Sequence, residues 1–143
     1  MSEATEAVAT RPDDAVMNGV IPYLNLGGRA DEAADFYIKA FGAKDLGRMP
    51  DPNNPGRQMH VQIEINGGAL MLTDGMSAEP QPTPQGLHLQ LVLGDGKAWW
   101  DRAVAAGCTV EHPYERQFWG DDWGMLRDPF GLLWGVMQPG PEG

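Results

Sequence analysis

The order strand–helix–strand–strand–strand occurs twice in this chain of 143 residues, on either side of a proline-rich stretch. That internal repeat narrows the fold more than any composition can. In the first half a strand pattern over residues 20–24 stops at Gly27-Gly28. Ala33, Phe36, Tyr37 and Ala40 then follow i, i+3, i+4, i+7 spacing, one face of a helix over 30–41, with Gly42 where a terminating glycine belongs. A strand over 43–49 runs into a Pro/Asn/Gly loop at 51–56. Residues 59–65 alternate strictly, and Asn66-Gly67-Gly68 turns them into a further strand over 69–73. Past the proline-rich residues 79–85 the same order returns: strand 87–93, helix 97–106 ended by Gly107, and strands 109–115, 122–126 and 132–137. The expected division is a tail at 1–17, a module at 18–77, a linker at 78–85, a second module at 86–138 and a short tail at 139–143.

Hydrophobic residues at 42% and charged ones at 21% are globular proportions, and a chain this long buries enough surface to fold without disulfides. The single Cys108 excludes an intramolecular disulfide and any multi-cysteine metal site. A formal charge of −10 argues against nucleic-acid or anionic-membrane partners, which select basic surfaces. No apolar run reaches the roughly 20 residues of a membrane span, and the acidic, alanine-rich start is unlike a signal peptide. A cytoplasmic protein is the expectation.

Particular strings carry more. Pro22-Tyr23-Leu24-Asn25, Ala33-Ala34, Phe36-Tyr37 and Ala40-Phe41-Gly42-Ala43 stand in the first half, followed by Met59-His60-Val61 and Leu70-Met71-Leu72-Thr73-Asp74. Phe118-Trp119-Gly120-Asp121 and Arg127-Asp128-Pro129-Phe130-Gly131 stand in the second. In this order and spacing, from Ile21 to Met137, the chain resembles the vicinal oxygen chelate superfamily of glyoxalases, bleomycin-resistance proteins and extradiol dioxygenases. Within it, the PhnB-like branch is the most similar. The resemblance implies an α+β fold in which two βαβββ modules form a curved, partly open eight-stranded sheet around a cavity. It also implies a homodimer, which would cover open sheet edges.

Metal-dependent members of that superfamily carry ligands on the first and last strand of each module. In the first half those positions fall on Pro22 and near Met71; an offset of 66 places the counterpart of Pro22 at His88, and the last-strand position, after Asp128-Pro129-Phe130-Gly131, falls near Gly135. Proline and glycine offer no side-chain donor and a thioether is a poor ligand for a hard dication, so His88 alone is left. The expectation is therefore no cofactor, with a divalent metal not favoured. Strand alternation groups other polar residues: His60, Gln62 and Glu64 opposite the apolar face of 59–65, and His88 and Gln90 opposite the leucines of 87–93. If the apolar faces pack on helices, these five line one cavity, with Trp119 and Trp123 as an aromatic wall. Solvated rows without chemistry, and a shifted metal site on His60, Glu64 and His88, are the alternatives.

The remaining residues have plainer expectations. Trp134 and Cys108 read as core, one of Trp99 and Trp100 as buried, and Asp128-Pro129-Phe130-Gly131 as a β-turn. Arg57 and Arg116 read as partners of surface carboxylates, with pairing to an anionic ligand as the alternative, and His112 has no assigned role. Two functions stay open: a protein that binds a small organic molecule between the modules, and a lyase, isomerase or dioxygenase that is metal-dependent through an altered ligand set or uses His60 or His88 as general base.

Overall fold

A computed structural model describes residues 16–75 and 85–141. Most of the expected tail at 1–17, nearly all of the linker at 78–85 and the last two residues lie outside the described residues. The first module runs β1 (Tyr23–Asn25), α1 (Ala30–Phe41), β2 (Lys44–Pro50), β3 (Gln58–Ile65) and β4 (Gly68–Thr73). The second repeats it as β5 (Leu89–Val92), α2 (Gly96–Ala106), β6 (Thr109–Arg116), β7 (Asp122–Arg127) and β8 (Leu133–Gln138). The expected elements are all present, with ends displaced by at most three residues.

The strands form two four-stranded sheets of identical design, β1-β4-β3-β2 and β5-β8-β7-β6. In each, the first strand lies parallel to the last and the other pairings are antiparallel. Among the described residues no strand ladder joins the sheets, so the eight strands form two open sheets rather than one continuous one.

Local chemistry sets α1. Asp31 and Glu32 occupy its first turn and Lys39 its last, matching the helix dipole. Gly42 closes it in the left-handed conformation at φ 65°, which a residue with a Cβ adopts only at a cost. The Asp74 carboxylate, 1% exposed, accepts from the N–H groups of Gly28 and Ala30 through one oxygen and of Gln58 through the other. The end of β4 thereby fixes both the start of α1 and the start of β3. On the outer side, Arg48 of β2 reaches Asp31, Asp35 and Asp45 at 2.7–2.9 Å, holding the edge strand to the helix.

The modules share one core. Tyr37 and Phe41 of α1 pack against Trp134 of β8, with ring centroids 5.3 and 4.7 Å away. Phe36 and Tyr37 meet Phe130, and the Arg29 guanidinium lies 4.5 Å from the Phe130 ring centroid. Arg102 of α2 donates to the carbonyls of Ile38 and Lys39 at the end of α1, the first of which also accepts from the Gly42 N–H. Trp134, Trp100 and Cys108 are buried, as their sequence context predicts. Burial pushes the Cys108 thiol up to about 12, which leaves it inert at neutral pH.

Inside this contact sits a buried carboxylate. Asp128 accepts the Tyr37 hydroxyl at 2.6 Å and the Trp134 indole N–H at 2.9 Å on one oxygen, and the N–H groups of Phe130 and Leu132 on the other. Burial, reinforced by this carboxylate, pushes the Tyr37 hydroxyl well above the ordinary phenol range, so it stays a donor. Replacing Asp128 with Ala strands two buried side-chain donors and two backbone ones, at a cost of about 3 kcal/mol or more. Calorimetry should record a fall of about 10 °C in Tm. A fall of about 2 °C or less would mean that the network contributes little to stability.

Candidate functional site

Each sheet turns one face to the helices and leaves the other open. Leu24, Val61, Ile63, Leu70 and Leu72 belong to the core, so strand alternation puts their neighbours on the open face of the first sheet. A row crosses all four strands there: Tyr23, Met71, Gln62 and Gly47. The matching row of the second sheet is Gln90, Gly135, Met125 and His112. The rows superimpose because Leu24↔Leu72 and Leu91↔Val136 are the next buried pairs in each sheet.

This register corrects the expected offset. Tyr23 corresponds to Gln90, an offset of 67, so His88 corresponds to Ile21 and not to Pro22. Pro22 shares the helix-facing side with Leu24, and its carbonyl accepts from the Met71 N–H. The equivalence of Met71 with Gly135 stands. Isoleucine, like proline, carries no donor, so the four positions now read Ile21, Met71, His88 and Gly135.

On the first sheet the Tyr23 hydroxyl and His60 Nδ1 are hydrogen-bonded at 2.8 Å, with the rings edge to face. His60 and Gln62 line a cavity of about 130 Å³ with Met49 and residues 46–48. Glu64 does not join them. It lies four residues further along β3, about 13 Å from His60 at strand rise, and lines a different cavity beside Lys44. Met59, expected on the core face, is 40% exposed, because the ladder shifts register between Met49 and Pro50.

The second sheet is built around a missing side chain. A Cβ on Gly135 would lie 2.2 Å from Gln90 Oε1 and 3.1 Å from both His88 Cδ2 and Trp123 Nε1. Those three side chains fill the space that any other residue at 135 would claim. Gln90 Oε1 is 2.8 Å from His88 Nε2 and 3.5 Å from Trp123 Nε1, while its amide nitrogen donates to the Met137 sulfur at 3.4 Å. With the amide so placed, His88 carries its proton on Nε2 and donates it.

From this cluster an aromatic path leads outward. His112 lies 5.7 Å from Trp123, Trp123 6.4 Å from Trp119, and Trp119 5.0 Å from Phe118. Trp119 is half exposed and Phe118 almost wholly so. His112, given no role by the sequence, thus belongs to the platform. Arg116 is held by Asp122 at 2.6 Å and Arg57 donates to the Asp74 carbonyl, so both arginines have structural partners. Of the seven expected site residues, the structure joins His60 with Gln62, and His88 with Gln90, Trp123 and Trp119. Among the described residues no hydrogen bond or ring contact links these two groups. Tyr23 was missed, although its place next to Pro22 at the start of a strand was visible.

The residues do not fit the metal that the resemblance implies. Among the described residues no three His, Cys, Asp or Glu side chains lie together as a metal-binding group. His88 is turned to an amide, and the space over Gly135 is filled by that same amide. No helix among the described residues is long and apolar enough to cross a membrane.

Known proteins agree with this architecture. Protein Mb0911c of Mycobacterium bovis is 42% identical over 120 residues, covering 77% of this chain and 76% of its own length. YjdN of Escherichia coli is 29% identical over 134 residues, covering 79% and 90%. The crystal structure of PA1353 from Pseudomonas aeruginosa superimposes with a TM-score of 0.72 at 27% identity, over 86% of this chain and 98% of that one. The PhnB protein of Bacillus cereus shares the fold at a TM-score of 0.69 and 19% identity, over 85% and 99%. The profile of the Glyoxalase/Bleomycin resistance protein/Dioxygenase superfamily matches residues 23–136, and the chain belongs to that superfamily.

Proposed function

We propose that this protein binds a small, partly aromatic organic molecule on the open faces of its sheets, without a metal ion. The observation that carries the reading is the Gln90 amide over Gly135, bonded to His88 and Trp123. It replaces a cluster of charged ligands by polar groups that orient a molecule and an aromatic surface that covers it. The chain's charge of −10 and the exposed indole of Trp119 favour a planar cation, drawn by the field and held by the ring face. Tyr23, His60 and Gln62 supply the corresponding polar face of the first module.

A second reading rests on the Tyr23–His60 pair. A phenol hydrogen-bonded to an imidazole can hold and pass a proton, as an isomerase or lyase of this superfamily with an altered ligand set would need.

The molecule acts as a homodimer in the cytoplasm. Tyr23, Met49, Val92, Val110 and Phe118 are large apolar residues left exposed on one chain, and pairing with an identical chain covers such surface. Sedimentation at micromolar concentration should give twice 15.5 kDa; a monomer there overturns the dimer.

Titrating the protein with 9-aminoacridine, a planar aromatic cation, should quench its tryptophan fluorescence saturably. Trp119→Ala should weaken that binding about tenfold while leaving Tm unchanged. Unsaturable quenching, or equal affinity in the variant, overturns the binding reading. Protein purified without a histidine tag should contain well under about 0.2 equivalents of any transition metal, against three or so protein ligands in a catalytic site. Added Zn²⁺, Ni²⁺ or Mn²⁺ should leave its Tm unchanged. Near-stoichiometric metal, or a metal-dependent rise in Tm abolished by His88→Ala, would put the enzyme reading first.

A further inference from the structure

We propose that a groove outside the open sheet faces is a second small-molecule site, built for a zwitterion that carries a planar ring. It lies where the C-terminal end of α1, the β3–β4 turn and the first turns of α2 meet, with a volume of about 350 Å³. That is the lower end of ligand-binding cavities, a size suited to an amino acid.

Both modules supply its walls. Phe41, Lys44 and Glu64 come from the first, and Asp95, Trp99 and Arg102 from the second. The boundary is fixed on two sides: the Asn66 amide donates to the Val92 carbonyl, and Arg102 donates to the carbonyls at the end of α1. The groove therefore exists only in the docked pair of modules, and two of its own lining residues tie those modules together.

Its charges balance and form no ion pairs among the described residues. Lys44 and Glu64 are partners across the β2–β3 ladder, yet no ion pair joins them. Asp95 precedes α2 without its side chain capping the helix, and it too has no ion pair among the described residues. Arg102 uses Nε and one terminal nitrogen on α1, leaving the donors of the other against Gly42. Two cations and two carboxylates thus face one cavity in a chain whose net charge is −10. An anion would be repelled by the whole molecule, and a simple cation would leave Lys44 and Arg102 unanswered. A zwitterion answers both signs. Trp99, half-buried and stacked on Phe41 at 6.4 Å, gives the ring a flat apolar surface.

L-phenylalanine is the probe, with phenylacetate and phenethylamine as its two single-charge counterparts. In ¹H–¹⁵N spectra of the full chain, millimolar L-phenylalanine should shift the amides of Gly42, Asn66, Gly67 and Ala98 and the Trp99 indole N–H. Each counterpart should bind more weakly by about two- to fivefold, the loss expected for one exposed ion pair. The exposed substitutions Asp95→Asn and Lys44→Gln should weaken L-phenylalanine by a similar factor with Tm unchanged. Trp119→Ala should not affect it, which separates this site from the one on the open faces. No shift at those amides, equal binding of all three probes, indifference to both charge substitutions, or loss of binding in Trp119→Ala would each overturn the proposal.

Discussion

One of the contacts that join the two modules, that between α1 and β8, is organised by a single buried carboxylate. Asp128 directly follows β7 and points back into the core, where it accepts from Tyr37 of the first module and Trp134 of the second. A charge in an apolar interior is tolerated only when its lone pairs are satisfied, and here four donors converge on two oxygens. Tyr37 and Trp134 are large side chains whose polar tips would otherwise be stranded. The carboxylate lets them be packed against each other, their ring planes tilted by 59°, at the centre of the molecule. The relative placement of the sheets, and with it the groove between the modules, follows from that pairing.

The first module holds a second buried carboxylate with a different task. Asp74 ties β4 to the start of α1 and to β3, all within its own module. One acid thus builds a module and the other docks it. The repeat is exact in strand order and pairing but has diverged in how its polar interior is used.

The sequence made the elements legible because their signals are local. A helical period over 30–41 and a left-handed Gly42 need no knowledge of the rest of the chain, and both stand where expected. Register is different. It is settled by which residues of two distant strands become buried together, and a slip of one residue exchanges the faces. Position alone gives the first strands an offset of 66, whereas Leu24 and Leu91, each buried opposite the buried residue of its last strand, set it at 67. Asp128 was read only as part of a turn, since nothing beside it in sequence shows that Tyr37, 91 residues away, would need an acceptor. Glu64 was grouped with His60 because alternation assigns a face and says nothing of distance along the strand.

The open faces show how one framework supports different chemistry. In the first sheet the row begins with Tyr23 on the edge strand and Met71 beside it, and the phenol is tied to His60. In the second, the residue equivalent to Met71 is Gly135, and its missing side chain is replaced by an amide reaching over from the neighbouring strand. Both arrangements fill the middle of the sheet with uncharged groups. A divalent ion needs the reverse: several anionic or neutral nitrogen and oxygen donors converging with open positions left over. Restoring a carboxylate at 135 alone would not recover such a site, because its Cβ would first have to expel Gln90, and Gln90 is the group that orients His88. The histidine and the glycine are therefore coupled through that amide, and a change at either one must be accommodated by the other.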